Sequence, residues 1–270
     1  MKIVSFNINS IRARPHQIEH LRDTIDPDII GLQETKVNDP EFPIEIINEI
    51  GYHCEYWGQK GHYGVAILSK SEPLNCIKGF EGDTEEDQKR FIQSTFKFAD
   101  KELIVMNGYF PQGENINHET KFPKKVKFYE DLKKHIINLK EKSSNLIIMG
   151  DFNVSPEDID IGIGEKNAKR WLRDGKTSFQ PQEREMWNSI KNLGFVDSWR
   201  VINPDESSTY SWFDYRSRMF DQNPKRGLRI DHIMLSENLI DSISEVGIDY
   251  DARAMEKPSD HCPVWLGLNE

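Results

Sequence analysis

Side chains that could hydrolyse a phosphate ester stand at the ends of short apolar runs in this sequence. Glu34 and Asp151 follow such runs, and Asn153 comes two residues after Asp151. Asp231 lies at the start of a third run, and His261 shortly precedes the last one. Carboxylate oxygens are hard ligands that favour Mg²⁺ or Mn²⁺. An aspartate beside a histidine fixes the tautomer of the imidazole and stabilises its charged form. Such a set suits metal-assisted hydrolysis of a phosphate ester.

The stretch 146–153 shows how these side chains would be positioned. Four apolar residues, 146–149, are typical of a strand that is buried on both faces. After Gly150, the alternation along a strand points Asp151 and Asn153 the same way and turns Phe152 into the protein. Taken alone, a strand followed by an Asx turn explains this stretch equally well. It therefore does not decide between a structural and a functional role.

The elements that must carry these residues alternate between strands and helices in both halves of the chain. The patterns predict strands over 2–9, 28–32, 65–68, 91–98, 103–106, 146–149, 210–213, 230–235 and 243–248, with a last strand after 263. They predict helices over 15–25, 41–50, 121–142, 165–174 and 181–193. The strand over 91–98 alternates and is expected to be half-exposed. This order predicts a core of two sheets with two similar halves.

Composition and charge narrow the class of protein. The chain has 270 residues, 37% hydrophobic and 10% aromatic, which is enough for a sizeable core. Its net charge is −10, whereas a protein that holds nucleic acid through bulk charge would be basic. The stretch 216–231 contains five basic and two acidic residues, a local charge of +3. Any DNA contact is therefore expected on a local basic face.

Cysteine usage and hydropathy bear on location. The three cysteines contain no CxxC pair, which favours a reduced cytoplasmic protein without disulfides or a zinc site. The first ten residues alternate and do not resemble a signal peptide. No stretch approaches the roughly 20 apolar residues of a membrane helix. We expect a cytoplasmic protein with no membrane association.

Six short runs that carry the candidate residues occur in order along the chain. They are Ser5-Phe6-Asn7-Ile8-Asn9, Gly31-Leu32-Gln33-Glu34-Thr35-Lys36, Gly108-Tyr109-Phe110-Pro111, Gly150-Asp151-Phe152-Asn153, Gly227-Leu228-Arg229-Ile230-Asp231 and Ser259-Asp260-His261. No single run is specific. The ordered set, however, resembles the exonuclease III family of abasic-site endonucleases, within the endonuclease/exonuclease/phosphatase superfamily. The match covers residues 2–268.

This resemblance implies a fold, an activity and a partner. The fold is an α/β four-layered sandwich, in which helices cover two facing, mostly antiparallel sheets, and residues 1–270 form a single catalytic domain. The activity is Mg²⁺-dependent hydrolysis of phosphodiester bonds in duplex DNA, with Mn²⁺ able to substitute. It comprises incision 5′ to abasic sites, 3′→5′ exonuclease action and removal of 3′ blocking groups. The partner is duplex DNA with abasic sites or 3′ ends, bound by a monomer.

The resemblance also assigns roles to individual residues. The expected catalytic residues are Tyr109, Asp151, Asn153, Asp231 and His261. The expected metal ligands are Asn7, Glu34, Asp151, Asn153 and Asp260. The expected DNA contacts are Trp212, Leu228 and Ile230 around the baseless sugar, together with Arg90, Gln112, Lys121 and Arg216. Whether Asp151 or His261 takes the proton of the nucleophile stays open.

Two other functions are compatible with parts of the pattern. A phosphatase of the same superfamily would act on lipid or inositol phosphates, but the basic stretch 216–229 and Trp212 count against it. A non-catalytic DNA-binding scaffold would not need this set of acid, amide and histidine side chains. One position departs from the family: Ser10 stands where glycine is frequent, which predicts an altered turn after the first strand.

Overall fold

Two six-stranded β-sheets form the centre of the protein in the computed structural model, which describes residues 1–141 and 143–269. The strands are β1 (Lys2–Asn7), β2 (Ile29–Gln33), β3 (His53–Trp57), β4 (Val65–Ser69), β5 (Asn75–Lys78), β6 (Phe91–Phe98), β7 (Lys101–Tyr109), β8 (Leu146–Asp151), β9 (Phe195–Asp197), β10 (Asp231–Ser236), β11 (Ile243–Ile248) and β12 (Val264–Leu268). The α-helices are α1 (Pro15–Thr24), α2 (Ile44–Ile50), α3 (Lys121–Lys140), α4 (Glu165–Arg173), α5 (Pro181–Lys191), α6 (Ser198–Ile202) and α7 (Tyr250–Ala254). None of these helices, in the part of the chain described, has both the length and the apolar character that a membrane crossing requires.

Each sheet is antiparallel except for one central pair of strands. The spatial order is β11-β12-β1-β2-β4-β3 in the first sheet and β5-β6-β7-β8-β10-β9 in the second. β1 and β2 are parallel, as are β7 and β8. The other neighbours run antiparallel. The predicted pair of mostly antiparallel sheets is confirmed.

Three apolar layers hold the sheets and helices together. Val105 of the second sheet and Leu266 of the first belong to the core between the sheets. Leu21 of α1 packs on the outer face of the first sheet. Leu132 of α3 and Trp187 of α5 pack on the outer face of the second. Because both faces of the central strands are covered, these strands are nearly continuous apolar runs. The α/β four-layered sandwich is therefore confirmed.

Most predicted elements are present, with shifted ends. The helix predicted over 121–142 is α3, which ends at Lys140. Position 142 of that prediction lies outside the described residues, and so does position 270 of the predicted domain. The prediction that 91–98 is half-exposed is wrong, because β6 is covered on both faces and only Lys97 is exposed. The predicted strand over 210–213 is also wrong, since Trp212 makes isolated bridges to Leu228 and His261. The short elements β3, β5, β9, α6 and α7 were not predicted.

Ser10 adopts the backbone conformation that glycine favours. Its φ angle is 91°, in the left-handed region where side chains other than glycine are rare. Its N–H donates to the Glu34 carbonyl at 2.8 Å. The turn after β1 is thus tied to the residue that follows β2, and it keeps a glycine-like form despite the serine.

Candidate active site

The ends of five strands bring the predicted polar residues together. β8 pairs Asp151 with Asp231 of β10 on one side and with Tyr109 of β7 on the other. In the facing sheet, β1 ends at Asn7 and its parallel neighbour β2 ends just before Glu34. The Nδ2 of Asn7 donates to the Oδ2 of Asp151 at 3.0 Å, which joins the two sheets at this edge. Strand register therefore accounts for the convergence.

Asp231 and His261 form a buried carboxylate–imidazole pair. The Nδ1 of His261 lies 2.8 Å from Oδ2 and 3.0 Å from Oδ1 of Asp231. Ser211 fixes the carboxylate, since its hydroxyl donates to Oδ2 at 2.7 Å and accepts from the N–H of Asp231 at 3.0 Å. Burial lowers the pKa of His261, but the adjacent charges of Asp231 and Asp151 outweigh it and raise this pKa to about 10. The imidazole is therefore held as a cation at neutral pH.

The pKa of the Asp151 carboxyl group lies close to neutral pH. Burial raises its pKa to about 7, and the negative charges of Asp231 and Glu34 add to this rise. The charge of His261, whose Nε2 lies 3.8 Å from Oδ2 of Asp151, opposes the rise. The hydrogen bond from Asn7 also opposes it. A carboxylate with this pKa can accept a proton from water at physiological pH.

Glu34 lies at the mouth of the site and is held from two sides. Its Oε1 accepts from Asn7 Nδ2 at 2.9 Å, and its Oε2 pairs with Lys36 Nζ at 2.9 Å. Asn7 is fully buried, and its Oδ1 accepts from the N–H of Asn9 at 3.1 Å. Asn7 therefore presents its nitrogen to the carboxylates of Glu34 and Asp151, and in this orientation it positions both of them.

Asp260 belongs to the same hydrogen-bonded chain. Its Oδ1 accepts from Asn9 Nδ2 at 3.0 Å, and its Oδ2 accepts from Trp212 Nε1 at 3.1 Å. Asn9 in turn accepts from Lys36 Nζ at 2.6 Å, which connects Asp260 to Glu34. Burial raises the pKa of Asp260, but the charge of the neighbouring histidine and these hydrogen bonds outweigh it and lower the pKa below its usual range. Asp260 is thus ionised.

The donor set fits a hard divalent cation. In the described residues, one group of acid and histidine side chains lies close enough to share an ion: Asp151, Asp231 and His261, with ligand atoms within 4.8 Å of one another. Asp231 is committed to His261 and Ser211, whereas Asp151 and Glu34 line the cleft. These remaining donors are carboxylate oxygens, with no thiolate among them. Oxygen ligands of this kind suit Mg²⁺-like ions.

Asn153 is fixed in an unusual backbone conformation beside Asp151. Its φ angle is 53°, and its N–H donates to Asp151 Oδ1 at 3.0 Å. Its Nδ2 donates to the Phe110 carbonyl at 3.0 Å, so the side chain is anchored while the residue still lines the cleft. Asparagine is one of the few residues other than glycine that tolerate this conformation. The two hydrogen bonds therefore hold Asn153 in place without marked strain.

Tyr109 contributes a phenol to the same cleft. Burial raises the pKa of Tyr109 well above its usual value, and the negative charges of Glu34 and Asp151 raise it further. The phenol is therefore protonated and can donate a hydrogen bond. The guanidinium of Arg90 stacks on the ring of Tyr109 at 4.5 Å and donates to the Tyr109 carbonyl at 3.0 Å. Arg90 thus supports Tyr109, and its contact with DNA stays a prediction.

An open cleft lies above these groups. Its apolar wall contains Trp212, Leu228 and Ile230, the residues predicted to contact a baseless sugar. Trp212 and Leu228 exchange backbone hydrogen bonds at 2.9 and 3.0 Å, which fixes the wall. Gln112 also lines the cleft, close to the acid residues. The structure therefore places a small apolar pocket directly beside the polar centre.

Three residues of the cleft were missed by sequence reasoning. Trp171 comes from α4, and Lys176 and Ser178 come from the segment that follows it. The ammonium of Lys176 lies 3.5 Å from the centre of the Trp171 ring. None of them stands at the end of an apolar strand, so the signal that identified the other residues was absent. The available signal was that Trp171 is an aromatic residue within the basic helix α4.

Two of the predicted charged DNA contacts lie away from the cleft. Lys121 and Arg216 are exposed and outside the lining of the cleft. Lys121 forms an ion pair with Glu114. Arg216 forms no side-chain ion pair in the part of the chain described. Arg216 therefore remains available to a phosphate without breaking a protein contact.

Arg229 does not belong to a DNA-facing surface, although the basic stretch 216–229 predicted one. Its side chain is 1% exposed and pairs with Asp160 and Asp197, each at 2.7 Å. These two carboxylates offset the cost of burying a guanidinium. Arg229 anchors the segment before β10, so this part of the prediction is wrong.

Comparison with known proteins identifies relatives that span the chain. A model described as the Endonuclease/Exonuclease/phosphatase family matches residues 4–261. The exodeoxyribonuclease III of Haemophilus influenzae is 54% identical over 265 residues, which covers 98% of each chain. The exodeoxyribonuclease of Bacillus subtilis is 34% identical over 274 residues and covers 100% of both.

Solved structures of similar shape also span the chain. The 3′ phosphatase NExo from Neisseria, bound to a product DNA hairpin, superposes with a TM-score of 0.91 at 33% identity and covers 100% of both chains. An AP endonuclease from Archaeoglobus fulgidus has a TM-score of 0.87 at 34% identity, again with 100% of both chains covered. The arrangement of two sheets is therefore shared with proteins that have these activities.

Proposed function

The chain belongs to the endonuclease/exonuclease/phosphatase family, and on that premise we propose that it is a metal-dependent DNA repair nuclease with exodeoxyribonuclease III activity. The observation that carries this proposal is the adjacency of Asp151 and the Asp231–His261 pair at the floor of a cleft with an apolar wall. The floor supplies a base and a fixed cation for a phosphodiester. The wall supplies a place for the sugar of a DNA strand.

The metal ion is proposed to be Mg²⁺, with Mn²⁺ able to substitute. Glu34 and Asp151 would hold it, because both carboxylates line the cleft and both accept from the same amide of Asn7. Asp260 and Asn153 would complete an environment of oxygen atoms at the same edge. When bound, the ion would neutralise charge on the phosphate group.

The chain's own groups divide the chemistry between them. His261 is a cation, so it can stabilise negative charge on a phosphate oxygen and cannot itself take a proton. We therefore assign the proton of the attacking water to Asp151, the carboxylate of the floor that lies 3.8 Å from His261 Nε2 and lines the cleft. Asp231 keeps His261 charged and oriented. Tyr109 donates a hydrogen bond to the phosphate or to the leaving oxygen.

The apolar wall supports a substrate that lacks a base. Trp212, Leu228 and Ile230 lie beside the polar centre, where they would contact a deoxyribose turned out of the duplex. Turning out a nucleotide costs a few kcal/mol, and the cost is lowest where the base is already missing. The same site would act on 3′ ends, as an exonuclease and in removal of 3′ blocking groups. A small phosphate ester would not need this wall.

The cellular setting is part of the proposal. We propose that residues 1–270 form one catalytic domain, because strands from both halves supply the site. The protein would act as a monomer in the cytoplasm, which agrees with its three free cysteines.

A mapped cleavage reaction tests this function. The substrate is a labelled duplex with a single abasic-site analogue, and the matched control is the same duplex with an intact base pair at that position. We expect a nick immediately 5′ to the analogue, and slow shortening from the 3′ ends of the control. Cleavage at random positions in both duplexes, or none in either, would refute the proposed function.

A further inference from the structure

Lys125 of α3 and Glu183 of α5 form an ion pair deep inside the protein. Both side chains are 0% exposed, and their charged atoms are in direct contact. A buried charge is costly unless its remaining donors and acceptors are also satisfied. In this pair the remaining donors and acceptors are satisfied, because each partner also bonds to backbone groups of segments that line the active-site cleft. The pair therefore connects two outer helices to the site.

The ammonium of Lys125 holds two of these segments. It donates to the carbonyl of Asn153 at 2.9 Å and to the carbonyl of Gln112 at 3.4 Å. Both residues line the cleft. Asn153 directly follows the strand that carries Asp151, and its N–H bonds to that carboxylate. A displacement of the Asn153 carbonyl would therefore be transmitted to the polar centre.

The carboxylate of Glu183 holds a third segment. Its Oε2 accepts from the N–H groups of Ser178 and Gln180, both at 2.8 Å. Ser178 lines the cleft and lies in the segment between α4 and α5, not at the end of a strand. One ion pair thus fixes Asn153, Gln112 and Ser178, which come from three separate parts of the chain.

Two of the three anchored residues have positive φ angles, 53° at Asn153 and 114° at Ser178. Asparagine tolerates such an angle, whereas serine rarely adopts it. For serine the conformation persists only where surrounding contacts impose it, and conformations of this kind concentrate at ligand-binding positions. The bonds from Lys125 and Glu183 are contacts of this kind, made to the carbonyl of Asn153 and the N–H of Ser178.

The bond from the Gln180 N–H to Glu183 belongs to the capping box that begins α5, which is a role in stability. The bonds to Ser178 and Asn153 are not part of that box. Replacing a buried ion pair with neutral groups of similar volume is often neutral or stabilising, whereas removing one partner is strongly destabilising. We propose that Lys125 and Glu183 are positioning residues, which hold Asn153, Gln112 and Ser178 in the geometry that a bound DNA strand requires. This inference rests on the proposed function, since it concerns the same cleft.

The test compares a single and a double variant in stability and in rate. Lys125→Met leaves Glu183 unpaired, so it should lower both the thermal unfolding midpoint and kcat on the abasic duplex. Lys125→Met with Glu183→Gln is neutral, keeps the volume and keeps an acceptor for the Ser178 and Gln180 amides. We expect the double variant to regain the unfolding midpoint. Its kcat should stay about 10- to 100-fold below the parent value, because misplacement by about 1 Å has effects of that size.

A split between kcat and KM separates positioning from loss of folded protein. The KM for DNA should change much less than kcat, and circular dichroism should show the double variant folded at the assay temperature. The matched control is Lys127→Met with Asp131→Asn, which removes the same charges from an exposed pair on α3. The control should match the parent in both rate and stability.

Each outcome is informative. Recovery of both stability and kcat in the double variant would overturn the positioning role, and so would failure of both variants to fold, since the pair would then serve the fold alone. An inactive parent would instead refute the proposed function. An active parent with an equally active double variant would refute the positioning role only.

Discussion

The floor of the cleft and its rim are built in different ways. Asp151, Asp231 and His261 on the floor are 2%, 1% and 5% exposed, and strand register and hydrogen bonds fix each of them. Above the floor, Trp212 of the apolar wall is half-buried. On the outer rim, Arg216 is exposed without an ion-pair partner in the described part of the chain. Chemistry needs desolvated, fixed charges, whereas the contacts that select DNA tolerate more freedom. The two functions should therefore be separable by mutation.

The largest effect is expected on the floor, at His261. His261→Ala removes the cation that stabilises the phosphate, and loss of such an electrostatic contact typically costs ~10²–10³-fold in kcat. Because the floor acts on any phosphodiester, the rates on an abasic duplex and on a small activated phosphodiester should fall together. Circular dichroism must show the variant folded. A folded variant with a near-normal rate would make His261 a structural residue.

A smaller and selective effect is expected at the wall, at Trp212. Trp212→Ala should slow incision of the abasic duplex by roughly tenfold or more, since burial of a large apolar side chain contributes about 1.5–3 kcal/mol. Hydrolysis of the small phosphodiester should remain nearly unchanged. Trp212→Phe is the matched control: it keeps an aromatic ring but removes the hydrogen bond to Asp260.

The two substrates measured on one preparation decide the interpretation of Trp212. A parallel loss of both rates would mean that the residue maintains the floor through Asp260. Unchanged rates on both would mean that other residues form the pocket. If Trp212→Phe is as slow as Trp212→Ala on DNA, the hydrogen bond and not the ring is what matters.

The smallest effect is expected at the outer rim, at Arg216. Each phosphate contact on B-DNA contributes about −0.9 to the slope of log K against log salt concentration. Arg216→Ala should therefore flatten this slope by about one such contact, with kcat at saturating DNA unchanged. Arg22→Ala, which removes a partly exposed arginine of α1 paired with Asp23, is the matched control. An unchanged slope for Arg216→Ala would place the DNA-binding surface elsewhere.

Sequence was most informative where a strand delivers a polar residue. Asp151 and Glu34 could be identified because buried strands have a strong apolar signal and end abruptly. Their meeting across two sheets could be expected only from the family resemblance, because register and sheet packing are not visible in local patterns. Trp171, Lys176 and Ser178 reach the cleft from a helix and the segment after it, so no strand end marked them.

Charge was the least reliable guide. Arg216 and Arg229 occur in the same basic stretch, yet one is exposed and the other is buried between Asp160 and Asp197. Those carboxylates are distant in sequence, so a local charge count cannot identify them as partners. The same limitation concealed the Lys125–Glu183 pair, whose lysine is one of many on α3 and looked like part of a solvated face.

Removal and return of the metal ion tests the central claim most directly. The protein is dialysed exhaustively against EDTA and then assayed on a duplex with one abasic-site analogue, before and after addition of Mg²⁺. Because Glu34 and Asp151 offer carboxylate oxygens that suit a hard cation, the account predicts no incision in EDTA and a nick 5′ to the analogue once Mg²⁺ is restored. Full incision in EDTA after dialysis would contradict it.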